Sequence, residues 1–229
     1  MAKIEQPKGK CFFCDEVMTR RKLFSHLKLG KCAKRNEEIE IAEKTTRSSQ
    51  QLFHLRAKHP YTLDFWLDLE VRGAASLEDL DKYLREIWLE CCGHLSEFSY
   101  GDFFGGEIPM GTQVEKVFKT EKKIYHSYDF GTTSETIVEL ISIREGKPHS
   151  DNPMFLMGRN EMPEEKCLEC KKDATHICIE CLYENENGWM YCDEHTEEHP
   201  CEDYGEPIPL VNSPRLGSCG YDGPSDPPY

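Results

Sequence analysis

No stretch of this 229-residue chain approaches the roughly twenty consecutive apolar residues of a membrane-spanning helix, and the N-terminus has no apolar signal core. The expectation is a soluble protein in a reducing, cytoplasmic setting, where thiols stay available to metal ions. Basic residues are scarce late in the chain. Residues 161–229 carry four Lys or Arg against seventeen Asp or Glu, so this part should repel nucleic acid and favour a protein partner or a basic surface. Internal repeats are absent. The glycine-rich loop Gly101 to Gly106 lacks the lysine and following helix of a phosphate cradle and reads as a turn.

Cysteine, in contrast, is plentiful at 12 residues. Cys167, Cys170, Cys178, Cys181, Cys192, His195, His199 and Cys201 form two CxxC pairs, a CxxH pair and an HxC pair. Eight such ligands satisfy two closed tetrahedral zinc sites and leave none for catalysis. In a cross-brace, the first and third pairs hold one ion, and the second and fourth pairs hold the other. A sequential arrangement remains open, with Cys167 to Cys181 on one ion and Cys192 to Cys201 on the other. A disulfide framework is the remaining reading, opposed by the CxxC spacing and the lack of a secretory signal.

A second metal signal, Cys11, Cys14, His26 and Cys32, has the spacing of a one-ion CCHC finger. Val17, Leu23, Phe24 and Leu27 would join Phe12 or Phe13 in a small core, on a helix carrying His26. So small a unit depends on its ion for folding free energy. The total expectation is three structural zinc ions. Residues 1–35 also hold ten Lys or Arg against three Asp or Glu, within a chain of net charge −14. Arg20, Arg21, Lys22, Lys28, Lys31, Lys34 and Arg35 are the candidate contacts for DNA or RNA phosphates. Equally open is a solvated, lysine-rich face without a ligand.

Between these ends the pattern is α+β, a small sheet with one main packed helix. The expected divisions are the finger at 1–35, a helical linker at 36–50, a central domain at 51–150, a connector at 151–163, and a two-zinc module with a Pro/Gly-rich tail at 164–229. Residues 52–57 suit a short strand. From Tyr61 to Val71 apolar and polar residues alternate, which predicts a longer strand with Trp66 on its polar face. Ser76 and Asp79 form a capping-box signature ahead of Leu77, Leu80, Leu84, Ile87 and Trp88 at helical spacing, ending near Gly93. Further strands are expected at 112–118, 123–128 and 136–143, the last apolar on both faces. Trp66 and Trp189 are candidate contact residues.

The string from Leu77 to Phe98, followed by Tyr128-Asp-Phe-Gly131, resembles the Ri-plasmid open-reading-frame-three-like domain family, and within it the transposon passenger-protein subgroup. The segment Pro209 to Tyr221 is similar to the same subgroup, so the resemblance spans roughly residues 50 to 223. It implies a small α+β domain of bacterial, plasmid or mobile-element proteins and little about activity. Some members are labelled resolvases, but this chain has no serine-recombinase nucleophile arrangement. It also departs from the family after Gly131, where Thr132 to Thr136 replace an Asp and a Trp and His pair.

Cys91, Cys92 and His94, with His126 and Asp129 from a neighbouring strand, admit three readings: core packing, a nucleophile with its base and orienter, or an additional metal site. Cys219 is set aside as a ligand because the other eight suffice. The resulting expectation is a non-enzymatic zinc-binding adaptor, contacting nucleic acid through its finger and a protein through its other domains. A purely protein-binding scaffold is the alternative, and an enzyme using Cys92, His94 and His126 is the third reading.

Overall fold

The computed structural model describes residues 6–184, 188–201 and 203–229. The rest of the finger segment and of the two-zinc segment lies outside the described residues. Near the N-terminus come β1 (Lys8–Cys11), β2 (Val17–Thr19), α1 (Arg20–Lys28) and α2 (Ala33–Glu43). The middle of the chain supplies β3 (Gln50–Lys58), β4 (Trp66–Arg72), α3 (Leu77–Leu84), β5 (Ser96–Ser99), β6 (Glu107–Ile108), α4 (Val114–Val117), β7 (Lys123–Tyr128), β8 (Ser134–Gly146) and β9 (Met154–Asn160). The C-terminal part contributes β10 (His176–Ile177), α5 (Ile179–Glu184), β11 (Met190–Tyr191), α6 (Asp193–Glu197) and β12 (Ile208–Pro209).

The expected small sheet is instead a nine-stranded one, in the order β2-β1-β9-β4-β3-β8-β7-β5-β6, and every pairing in it is antiparallel. It grows at an edge where the sequence suggested none. The expected connector contains β9, which lies between β4 and β1 and so joins the finger to the central strands. At the seam, a Cβ on Gly9 would sit 2.6 Å from the Arg159 carbonyl oxygen and 2.7 Å from Trp66. Only glycine permits that approach of backbone to ring.

One face of the sheet carries the main core. Leu67, Leu69 and Val71 of β4 and Phe53, Leu55 and Ala57 of β3 pack against Leu77, Leu80, Tyr83 and Leu84 of α3. The capping box at the start of α3 is formed as expected, with Ser76 Oγ accepting from Asp79 N at 3.1 Å and Asp79 Oδ2 accepting from Ser76 N at 2.8 Å. A π-helical turn, Arg85–Leu89, carries the helix on and buries Ile87 and Trp88 in the same core.

The opposite face is also covered. Trp66, expected on a polar outer face, is fully buried with Cys11, Leu23, Leu27, Cys32 and Met157. Alternation along β4 is real, but the finger covers its polar side. That face holds Asp68, which accepts from His54 Nε2 at 2.7 Å and from Arg56 Nη2 at 2.7 Å, all three side chains being buried. Burial alone would raise the Asp68 carboxyl, but the Arg56 charge and the His54 hydrogen bond hold it below the usual carboxylate range. Further along, Glu70 accepts from Arg144 at 2.7 Å and lies 3.7 Å from Arg35.

Other expectations shift. Residues 61–65 do not join β4, which begins at Trp66. The 112–118 segment holds the short helix α4 (Val114–Val117) rather than a strand. The 36–50 segment contributes a second main helix, α2, of 11 residues. Strand β8 is central in the order, but its second face is half-exposed, Ile143 being 46% exposed. A separate three-stranded sheet, β11-β10-β12, organises the C-terminal part. Among the described residues no helix is long and apolar enough to cross a membrane.

Candidate metal centres and basic surface

Among the described residues, four sets of three cysteines and one histidine assemble, and within each set the ligand atoms lie within 4.8 Å of one another. All twelve cysteines are free thiols. A tetrahedron with Zn–S bonds of about 2.3 Å has S···S edges of about 3.8 Å, and Zn–N bonds of about 2.0 Å give S···N edges of about 3.5 Å. These edge lengths are the standard for each set.

The first set is Cys11, Cys14, His26 and Cys32. Cys11 ends β1, and the chain turns through Asp15 at φ 61° with Asp15 N bonded to Cys11 O at 2.9 Å, which brings Cys14 back beside it. His26 projects from α1, and Cys32 caps α2 by accepting from Arg35 N at 3.4 Å. Cys11 Sγ and Cys32 Sγ are 3.9 Å apart, and Cys14 Sγ lies 3.4 Å from His26 Nε2. Burial pushes the Cys11 thiol up to about 12, so a thiolate there needs a cation beside it.

At the C-terminal end the alternating sets come together, not the sequential ones. Cys167, Cys170, Cys192 and His195 form one, with Cys170 and Cys192 Sγ 3.7 Å apart and His195 Nδ1 at 3.6 Å from Cys167 and 3.3 Å from Cys192. A tight turn between the first two is closed by Cys167 N to Lys172 O at 2.8 Å, with Lys171 at φ 63°. Cys192 is the residue from which α6 starts, which places His195 one turn on. Cys178, Cys181, His199 and Cys201 form the other set, with Cys181 Sγ 3.4 Å from His199 Nε2 and 3.7 Å from Cys201 Sγ. Tyr191 packs over His199 at 4.2 Å between ring centres, and Trp189, expected as a contact residue, packs partly buried in the same cluster.

The fourth set corrects the expected count of three. Cys91, Cys92 and His94 follow the π-helical turn, and Cys219 reaches them from the tail. The CCxH spacing was visible in the sequence, but nothing local pairs it with a cysteine more than a hundred positions later. This geometry also bears on the nucleophile reading. His126 Nε2 bonds to Asp81 at 2.8 Å in the core, away from the cysteines. His94 uses the same nitrogen, Nε2, toward Cys92 Sγ at 3.0 Å and toward Asp129 at 3.4 Å, so it cannot relay a proton between them through its two ring nitrogens. A hydrogen bond donated to Cys91, together with burial, pushes the Cys92 thiol up to about 11, while Cys91, despite burial, is brought down to about 7 by hydrogen bonds from Arg215 and Tyr128, so Cys92 is not the activated thiol of the pair.

The seven basic candidates separate into two groups. Arg20 stacks over Trp66 at 5.3 Å, and its charge is disfavoured mainly by burial. Arg35 is largely buried and directed at Glu70 and the Leu27 carbonyl. Arg35 is thus an internal packing group, and Arg20 a half-buried one held against the Trp66 ring. Arg21, Lys22, Lys28, Lys31 and Lys34 are exposed, although Lys34 pairs with Glu37 at 3.2 Å. Arg21, Lys22 and Lys31 line an open hollow of about 900 Å³ together with Ser25, His26 and Glu16.

No family model matches the chain, and no curated protein matches it, so the resemblance read from residues 50 to 223 has no independent family assignment. Among solved structures, the chain is similar to a protein of unknown function, MM3350, from Methanosarcina mazei Go1. The two share 19% identity at a TM-score of 0.39, over 45% of this chain and 66% of that one, just under two thirds of its length.

Proposed function

We propose that this protein is a zinc-binding adaptor without chemistry of its own, which uses its N-terminal finger to contact the phosphates of DNA or RNA and its remaining surfaces to hold a protein partner. Zinc suits the four Cys3His sets, because thiolate-rich tetrahedral sites select it and the observed S···S and S···N separations match its coordination edges. The observation that carries the nucleic-acid part is the placement of Arg21, Lys22 and Lys31 around one open hollow, on a protein whose net charge is −14. Cations left exposed together against that overall charge provide a local attraction for phosphates through counterion release.

Arg21, Lys22 and Lys31 are tested together as glutamates. Fluorescence anisotropy with labelled single- and double-stranded oligonucleotides should show wild-type binding that weakens steeply with salt, and the triple variant should lose it. Three phosphate contacts correspond to a log-log salt slope of roughly −2 to −3. A wild type that binds neither nucleic acid at low salt overturns this part. A protein-binding scaffold would then stand in its place, favoured by the internal use of Arg20 and Arg35 and by the Lys34 to Glu37 pair.

A further inference from the structure

We infer that Cys91, Cys92, His94 and Cys219 hold an exchangeable zinc ion that acts as a clasp, fastening the C-terminal segment to the central domain. The inference rests on reading the Cys3His sets as zinc sites and assigns this one a different task from the other three. Its atoms have coordination spacing. Cys91 and Cys92 Sγ are 3.7 Å apart, Cys92 and Cys219 Sγ 3.9 Å, and His94 Nε2 lies 3.4 Å from Cys219 Sγ and, on one short edge, 3.0 Å from Cys92 Sγ. Three sulfurs and one nitrogen converge in this arrangement, with every sulfur separation well beyond a disulfide bond of about 2 Å.

The tail is shaped to deliver its ligand. Cys219 sits at φ 52° and ψ 34°, left-handed backbone that residues with a Cβ rarely adopt, between Gly217 and Gly220, which are also at positive φ. Behind the ligands is a supporting shell. The fully buried Arg215 donates to Cys91 Sγ at 3.4 Å and to Asp129 Oδ2 at 2.6 Å, and its other arm donates to the Thr132 carbonyl at 2.9 Å. Such hydrogen bonds to ligating sulfur orient and tune a metal site.

Access distinguishes this set. Cys92 and Cys219 are exposed, whereas Cys11 and Cys32 of the finger and Cys167, Cys178, Cys181 and Cys192 of the C-terminal sets are buried. The other three sets each draw their ligands from one continuous stretch of chain. Here three ligands come from the central domain and one from the tail, so the ion closes a long loop rather than folding a local knuckle. Along that loop Ser213 Oγ donates to the Trp88 carbonyl at 2.6 Å, Arg159 donates to the Asn212 carbonyl at 2.7 Å, and Tyr229 packs on Tyr83. Without the ion these contacts and those of Arg215 to Asp129, Thr132 and Ser134 still hold the stretch before Cys219, whereas Cys219 itself loses its anchor.

The test uses the full chain, with Cys219→Ser and Cys92→Ser as parallel variants, circular dichroism as the check that both fold, and Zn2+ as the probe. Native mass spectrometry should count four zinc ions in the wild type and three in each variant. Limiting chelator should remove one ion from the wild type first. In hydrogen exchange, amides of the tail around Cys219 should then exchange about tenfold faster, while those of 167–201 keep their protection. Three ions in the wild type, four in either variant, unchanged tail exchange after the first ion leaves, or a Cys92 to Cys219 disulfide seen as a mass lower by two hydrogens would each overturn the clasp alone. Fewer than three ions in every protein would overturn it together with the zinc reading beneath it.

Discussion

Asp68→Asn should be among the most damaging single substitutions outside the metal ligands. Asp68 is fully buried and accepts from Arg56 Nε at 3.1 Å, Arg56 Nη2 at 2.7 Å and His54 Nε2 at 2.7 Å. The Arg56 side chain is only 8% exposed and lies near Arg20, whose charge it already opposes. Neutralising the carboxylate therefore leaves a buried guanidinium without its counterion and beside a second one. Breaking a buried pair from one side costs about 3–5 kcal/mol, a large share of the roughly 5–15 kcal/mol that stabilises a typical domain. For a chain of this size that corresponds to a fall in melting temperature of roughly 6–20 °C. The double variant Asp68→Leu with Arg56→Met removes both charges and should recover most of the loss. Equilibrium urea unfolding with zinc present is the assay. A loss below about 1 kcal/mol for Asp68→Asn would refute the argument, because it would mean that Arg56 reaches water without help.

Cys32→Ser should remove the finger's ion and lift the finger from the sheet, seen as a red shift of Trp66 emission; a lost ion with unchanged emission would separate the finger's metal from its docking. Gly9→Ala should destabilise by about 1–3 kcal/mol through contact with Arg159 and Trp66. Gly106→Ala, with nothing within 4 Å of its Cβ, should stay within about 0.5 kcal/mol in the same thermal melts. His149 packs between Phe13 and Phe155, each at 5.2 Å, and burial lowers its pKa below 6.5. Its neutral form stabilises fully above pH 6.5, and that contribution is lost as pH falls through the lowered folded value. His149→Phe should therefore gain stability relative to wild type as pH drops from 7 toward 5.5, and a constant difference across that range would count against it.

The strongest local signals in the sequence correspond to local structures. The CxxC knuckles close within four or five residues, and the capping box of α3 needs only Ser76 and Asp79. Strand β7 follows from its own pattern. Where the sequence misleads, the deciding partner is distant. The alternation of β4 reads as one wet face because nothing in residues 61–71 announces that a finger from far earlier in the chain lies across it. The segment around Met154 reads as a connector because its Pro, Asn and Gly content outweighs a seven-residue strand that is stabilised by β4 and β1 on its two sides. Thr112 to Phe118 have the β-branched and aromatic character of a strand, yet Val114 and Glu115 donate to the Ala75 and Gly73 carbonyls and Lys116 to Phe118 bond back within a single helical turn.

By itself, then, the sequence determined the four ligands of the finger and the eight of the C-terminal pair of sites, the main amphipathic helix, the α+β character and the charge split between the two ends. Each depends on spacing within one or two turns of chain, where ligand geometry and side-chain periodicity act directly. Tertiary structure decided that the finger is an edge of the central sheet, that the eight C-terminal ligands group in alternation, that Arg20 and Arg35 pack against Trp66 and Glu70 while Arg21, Lys22 and Lys31 face solvent, and that Cys219 completes a fourth set with Cys91, Cys92 and His94. Those outcomes depend on which distant surfaces bury one another, and burial is a property of the assembled chain that residue order alone does not encode locally.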